Sequence, residues 1–281
     1  MESQKKHKPA ISIEFFPPKT EEGKENLRKT REELAKLKPA FFSVTYGAGG
    51  STQQGTIETI LDIQKSGIPA APHLTCVGTS KETVRDLLKL YVKNDIQRIV
   101  ALRGDIPSGM RELGDFQHAN ELVEFIRQES GDHFHIEVAA YPEIHPQAPS
   151  AKADLNNFKR KVDAGANSAI TQYFFNPDAY YRFVDDCEKM GLDIPIVPGI
   201  MPITNYTQLA RFSEMCGAEI PRWLRKRLEG FHDDMDSLRV YGQEVTTQLC
   251  TTLLANGAPG LHFYCMNRAQ PTGTIIQNLD V

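Results

Sequence analysis

The 281-residue sequence predicts an α/β protein built as a closed (β/α)8 barrel, with an extra helix before the eighth strand. Three observations carry that expectation. Eight β-rich runs are each followed by a segment of helical periodicity. The length suits one such barrel, which takes about 250 residues. Polar side chains also gather at one end of nearly every run, where a barrel places its active site.

The first run is ISIEFF (11–16), followed by the helical KENLRKTREELAKL. FFSVTYG (41–47) is the second, and AAPHLTC (70–76) the third. The helix after the third, SKETVRDLLKLYVKN, opens with a serine and an acidic residue two places on. RIVALRGD (98–105) is the fourth. The fifth, HIEVAAYPE (135–143), and the sixth, SAITQYFF (168–175), bracket helical spacing from about Ser150 to Gly165, a β-α-β unit. On that helix Leu155, Phe158 and Val162 form the sheet-facing stripe, while Asp154, Asn157 and Lys161 share a neighbouring face with Arg160 beside them. IPIVPGI (194–200) is the seventh run and LHFYCMN (261–267) the eighth. The long gap between them holds PRWLRKRLEGF (221–231), read as the extra helix, and DSLRVYGQEVTTQLCTTLLANG (236–257), read as the regular one. No Pro/Gly/Ser linker, low-complexity tract or repeat divides the chain, so residues 1–281 are expected to form a single catalytic domain.

Composition narrows the function classes. Hydrophobic content of 40%, charged content of 24% and a single tryptophan are ordinary globular values. A net charge of −4 offers no basic footprint, so no nucleic-acid partner is expected. Cys76, Cys187, Cys216, Cys250 and Cys265 are odd in number and never form a C-x-x-C pair, which reads as reduced thiols in a cytoplasmic protein. MESQKKHKPA precedes no apolar signal-peptide core, and no apolar run is long enough to span a bilayer. A soluble, cytoplasmic protein without a membrane partner is expected.

The polar strand ends carry Glu14, Thr45, Tyr46, His73, Thr75, Arg103, Gly104, Asp105, Tyr141, Glu143, His145, Gln172, Tyr264 and Met266, and the opposite ends read as bland. Glu14 runs into Phe15, Phe16 and Pro17, so desolvation is expected to raise its pKa and favour the neutral acid that a proton donor needs; the alternative is a rim glutamate paired with an arginine or lysine. Asp105 either pairs with Arg103, caps a helix or sets charge beside a cofactor. The glycines of YGAGGST do not fit a dinucleotide fingerprint, because Thr52 stands where the third glycine belongs. His133 and His135 make a metal conceivable, but with no H-E-x-x-H and no Cys/His cluster at ligand spacing, none is expected. His73 and His145 read instead as hydrogen-bonding groups for a ligand. Ser/His/Asp order, G-x-S-x-G and a P-loop are absent, against common hydrolase and kinase mechanisms.

In order along the chain, SIEFFPPKT, SVTYGAGGST, APHLTC, ALRGD, YPEIHP, ADLNNFKRKVDAGANSAITQYFF and LHFYCMNR resemble the methylenetetrahydrofolate reductases in their short bacterial form, from about Ile11 to Arg268. The resemblance implies a (β/α)8 barrel carrying FAD. It implies reduction of 5,10-methylenetetrahydrofolate to 5-methyltetrahydrofolate, with NADH or NADPH as reductant in a ping-pong order, supplying methyl groups for methionine synthesis. By motif, the FAD contacts would be Thr45, His73, Arg103, Gly104, Asp105, Tyr141, His145, Asp154, Asn157, Arg160 and Lys161. Glu14 matches the family's proton donor, and Asp105 would lie near flavin and pterin as the second catalytic group. Gln172, Tyr264 and Met266 would line the substrate pocket with them, and Tyr206 falls where relatives can carry a stacking phenylalanine. The resemblance also implies a homo-oligomer. Longer eukaryotic relatives add a C-terminal domain that senses S-adenosylmethionine; with the chain ending soon after the eighth run, no such control is expected. Two alternatives remain at this point, a pterin-handling barrel methyltransferase that needs no flavin and a non-catalytic flavin-binding protein.

Overall fold

The computed structural model describes residues 1–46, 50–104 and 114–279, with the side chains of residues 50–52 outside the description. After a short α1 (Glu2–Lys5), strand and helix alternate as β1 (Ala10–Phe15), α2 (Glu21–Ala35), β2 (Phe41–Val44), α3 (Gly50–Lys65), β3 (Ala70–Thr75) and α4 (Lys81–Lys93). They continue as β4 (Arg98–Leu102), α5 (Ala119–Ser130), β5 (His135–Ala140), α6 (Ala151–Asp163), β6 (Ser168–Thr171) and α7 (Pro177–Lys189). The remainder is β7 (Ile196–Val197), β8 (Gly199–Ile200), α8 (Tyr206–Cys216), α9 (Arg222–Glu229), α10 (Met235–Ala255), β9 (Gly260–Tyr264) and α11 (Thr272–Gln277). The additional helix expected near 221–231 is α9.

All strands are parallel, in the order β7-β6-β5-β4-β3-β2-β1-β9-β8. The seventh expected run is split at Pro198, which has no N–H to give a ladder. Its first half pairs with β6, as Ala169 beside Ile196, and its second with β9, as Gly199 beside His262. The two ends of the order are thus halves of one strand, and the sheet returns on itself as a barrel. Several strands stop short of the runs that announced them, so residues 45–46, 103–104, 141–143 and 172–175 leave the ladder and contribute to the upper rim.

Side-chain alternation divides the interior. Ile11, Ile13 and Phe15 of β1 and Leu261, Phe263 and Cys265 at β9 join the main core beneath the helices, with Leu27, Leu34 and Ile276. The opposite parity points into the barrel, where Phe41, Ala71, Val100 and Ile170 make a small apolar plug. A further cluster of Tyr173, Phe175, Ile203, Leu209, Leu224 and Leu228 seats α8 and α9. Hydroxyl caps start three helices: Thr20 accepts from Gly23 N at 3.0 Å, Ser80 from Thr83 N at 3.1 Å and Ser150 from Ala153 N at 3.2 Å. On α6 the expected stripe holds, with Phe158 buried and Leu155 and Val162 packed against the core.

The lower, N-terminal end of the barrel departs from the bland character expected of it. Arg98 pairs with the buried Glu137, Ser168 Oγ donates to the other carboxylate oxygen, and His135 Nε2 lies 2.6 Å from Ser168 Oγ. Arg98 also lies over the Phe41 ring, 4.6 Å from its centroid. These residues border a cavity of about 230 Å³. All five cysteines are free thiols, and no helix among the described residues is long and apolar enough to cross a membrane.

Candidate active site

The strands open at their C-terminal ends into a cavity of about 500 Å³. Glu14 enters from β1, His73 and Thr75 from β3, and Tyr264 from β9. Thr45, Arg103, Gly104, Tyr141, His145 and Gln172 reach it from the segments just past their strands, and Lys161 from α6. Tyr46, Ile170 and Met201 are also in its wall, with apolar side chains of β4 such as Val100 and Leu102.

Glu14 is the most constrained group in this cavity. Its side chain is 17% exposed, and Oε2 lies 3.3 Å from His73 Nε2 and 3.4 Å from His262 Nε2. The His73 contact is short but poorly aligned, and His73 Nε2 makes no hydrogen bond, so its hold on Glu14 is electrostatic. His262 bonds on both sides, with Nδ1 2.7 Å from Ser12 Oγ. The upward pKa shift expected for Glu14 is therefore corrected. Burial does push the carboxyl up, but the charge of His73 and the hydrogen bond from His262 outweigh it and hold Glu14 down to about 2. The apolar flank is present as expected; the two imidazoles come from β3 and β9, far away in sequence.

The other side chains are held in ways that suit a bound, polar ligand. Lys161 is half-buried as a residue, yet its ammonium end is desolvated, which lowers its pKa to about 8 despite the charge of Asp154. Its Nζ donates to Ala139 O at 2.5 Å. Arg103 is braced by Gln147 and the Gly104 carbonyl. Gly104 has φ +85, and a Cβ there would meet Thr75 Cβ at 3.0 Å, so the chain turns where only glycine fits. Tyr264 donates its hydroxyl to Thr171 O at 2.7 Å, and burial holds the phenol well above its ordinary pKa. Its ring lies against Gly199, where a Cβ would come within 2.7 Å of it.

Several expected site residues stand elsewhere. Asp154 accepts from His145 N at 2.8 Å and so shapes the loop that presents His145 and Tyr141, whose rings meet at 4.5 Å. Asn157 and Arg160 are exposed on α6 and bond each other at 3.3 Å. Tyr206 does not reach the cavity; its hydroxyl donates to Glu229 at 3.2 Å in a separate pocket with Asn205 and Leu228. Met266, at φ 54 just past β9, is not among the cavity-lining residues. Glu143 accepts from Glu219 N at 2.8 Å outside the cavity. Asp105 lies outside the described residues. His262 and Ser12 are not among the residues expected from the sequence, although Ser12/Glu14 and His262/Tyr264 are alternate positions in two runs, a spacing that puts each pair on one strand face.

The donor set fits a phosphate-bearing, planar cofactor. Lys161 is a desolvated cation whose bonded partner is a carbonyl, Arg103 lines the same cavity, and the buried His73 Nε2 has no hydrogen-bond partner. No group of three or more His, Cys, Asp or Glu suited to a metal occurs among the described residues.

The chain is similar over nearly its whole length to methylenetetrahydrofolate reductases. The 5,10-methylenetetrahydrofolate reductase of Escherichia coli K12 is 42% identical over 274 residues, covering 96% of this chain and 90% of that protein. Methylenetetrahydrofolate reductase (NADH) 1 of Arabidopsis thaliana is 40% identical over 284 residues, 96% of this chain but 48% of that longer protein. Among solved structures, an uncharacterized protein from Clostridium thermocellum that binds two copies of 5-methyl-5,6,7,8-tetrahydrofolic acid superposes with a TM-score of 0.67. It shares 19% identity, with 97% of this chain and 94% of that one covered, a likeness of fold. The family profile for methylenetetrahydrofolate reductase matches residues 1–280. With that profile spanning nearly the whole sequence and a bacterial reductase 42% identical along it, the chain belongs to the methylenetetrahydrofolate reductase family.

Proposed function

We propose that the upper cavity binds FAD and uses NADH or NADPH to reduce 5,10-methylenetetrahydrofolate to 5-methyltetrahydrofolate, the methyl donor for methionine synthesis. Family membership supports the reductase assignment. The observation that carries the finer reading is the juxtaposition of a desolvated Lys161 and Arg103 with an ionisable Glu14 in one cavity of about 500 Å³. Bound FAD would supply a two-electron relay, accepting hydride from the nicotinamide and giving it to the folate that next occupies the same place, a ping-pong order.

Lys161 and Arg103 offset diphosphate charge, and the exposed Asn157 and Arg160 on α6 continue that polar track outward. His73, Thr45, Gly104, Tyr141 and His145 shape the wall against which the cofactor rests. Gln172 offers an amide to whichever substrate is present, and its own Oε1 already accepts from Tyr173 N at 3.0 Å, which fixes its orientation. Glu14 delivers the proton that opens the methylene bridge of the folate. Tyr264, tied to Thr171, closes the floor beside Glu14 and keeps the ring from swinging into the substrate volume.

The test is anaerobic absorbance of the FAD-reconstituted protein. NADH should bleach the flavin band, and methylenetetrahydrofolate should then restore it. A protein that takes up no FAD would overturn the cofactor assignment. Bleaching without recovery would leave a flavin reductase with another acceptor.

A further inference from the structure

The lower end of the barrel gathers polar groups that the reductase reading leaves unused. Phe41, Arg98, His135 and Ser168 are the first residues of β2, β4, β5 and β6, so parallel strands bring them to one floor. They border the cavity of about 230 Å³ together with His7 and Lys8. Ile170, Pro195, Val197 and Pro259 give that cavity an apolar side.

Its charges leave cations in excess. Glu137 is the only carboxylate among the described lining residues, and it is already satisfied: Arg98 Nη1 pairs with one oxygen and Ser168 Oγ donates to the other. Arg98 gives Glu137 a single nitrogen, and among the described residues its other two guanidinium nitrogens have no hydrogen-bond partner. The N-terminal segment adds to this. The Gln4 side chain, 1% exposed, donates to Ile194 O at 3.1 Å and accepts from Ile196 N at 2.7 Å, which fastens the segment to the start of β7. Beyond that anchor Lys5 pairs with Glu2 and Lys6 with Asp193, whereas Lys8, at the cavity, has no acidic partner among the described residues. His7 Nε2 is buried there without a hydrogen-bond partner.

We propose that this lower cavity is a binding site for a small monocarboxylate with a planar, apolar body. The free Arg98 nitrogens, the Lys8 ammonium and His7 Nε2 donate to the carboxylate, bonds strengthened by its charge. The body of the ligand lies against Phe41, Ile170 and the two prolines. Inorganic phosphate would leave that apolar side wet, and a cation would find no free acid, because Glu137 is already bonded. The volume falls below that of a drug-sized pocket, about 300 Å³ and above, which limits the ligand to about ten non-hydrogen atoms. Phe41 and Ile170 belong to the apolar plug that fills the barrel between the two cavities. The lower site therefore opens on the opposite face from the upper cavity, and the inference holds whatever the upper cavity binds.

Benzoate is the probe, titrated by calorimetry into the FAD-loaded protein. It should bind once per chain with a Kd on the order of 1 mM. Benzyl alcohol, which keeps the ring without the charge, and benzylamine, which reverses the charge, should each bind at least about 10-fold more weakly. Ala40 is exposed at the cavity, so Ala40→Trp fills the mouth from outside and should abolish benzoate binding. Lys8→Ala should weaken it roughly 2- to 5-fold, and His7→Ala with Lys8→Ala about 10-fold. Equal affinity for benzoate and benzyl alcohol, undiminished binding in Ala40→Trp, or no saturable heat would overturn the proposal. Displacement of FAD by benzoate would put the probe in the upper cavity and overturn it too. Should Ala40→Trp not fold, the His7→Ala/Lys8→Ala protein decides alone, unchanged affinity counting against the site. Should the protein take up no FAD, the cofactor reading fails, and the same titrations of FAD-free protein still decide the lower site.

Discussion

The barrel holds a glutamate near each end, Glu14 above and Glu137 below, and both are held down to about 2 against burial that pushes them up. The partners differ. Glu137 is bonded by His135, paired with the permanently charged Arg98 and bonded by Ser168, and its side chain is 3% exposed. Among the described residues Glu14 is held by His73 and His262, and it faces a cavity of about 500 Å³. A guanidinium does not release a proton near neutral pH, whereas an imidazole does. On the proposed mechanism, the same carboxylate burial serves as a rivet at one end and as a proton handle at the other.

Substitutions should separate the two roles. The largest effect is expected from Glu14→Gln, which should lower folate-driven flavin recovery by about 10²- to 10⁴-fold while leaving bleaching by NADH intact, measured by stopped-flow absorbance. Glu137→Gln should act on stability instead. Removing one partner of a buried pair leaves Arg98 uncompensated, for a loss of roughly 3–5 kcal/mol in denaturant titration. The pH dependence has the same origin. Because the folded pKa of each glutamate lies below its unfolded value of 4.5, the stabilisation is present above that pH and is lost as pH falls toward about 2. Thermal melts across that window should fall less steeply in Glu137→Gln than in the wild type.

Lys161 offers a smaller, sharper test of the upper end. An anion beside its ammonium should return the depressed pKa from about 8 toward 10.5, so FAD binding should take up a proton between those pH values. Calorimetry in buffers of different ionisation enthalpy would read that uptake, and Lys161→Met should abolish it and weaken FAD binding by about 10- to 100-fold. Gly199→Ala is expected to cost roughly 1–3 kcal/mol, since its Cβ would come within 2.1 Å of Thr171 O and displace Tyr264. Tyr206→Phe should be smallest, below about 1 kcal/mol, because it removes one part-buried hydrogen bond to Glu229.

Local pattern makes much of this architecture legible. The strand runs, the α6 stripe and the extra helix α9 follow from apolar spacing within a dozen residues, and so does the clustering of Glu14, His73, Tyr141 and Gln172 at one rim. What local pattern does not reveal depends on partners distant in the chain. The sign of the Glu14 shift is set by His73 and His262, the latter 248 residues away, and the lower network joins Arg98 to Glu137 across 39 residues. On α6, spacing places Asn157, Arg160 and Lys161 together, but only the long Lys161 side chain turns inward to Ala139. A helical wheel fixes the face and leaves open where a flexible cation ends. Pro198 is visible as a residue, but the splitting of its strand between β6 and β9 is a consequence of barrel closure.

The most direct test of the two-glutamate account sets Glu14→Gln beside Glu137→Gln at equal concentrations of folded, FAD-loaded protein and follows flavin recovery after methylenetetrahydrofolate is added. The account predicts wild-type bleaching in both, recovery lost in Glu14→Gln and recovery kept in Glu137→Gln. Recovery at the wild-type rate in Glu14→Gln, or its selective loss in a folded Glu137→Gln, would contradict it.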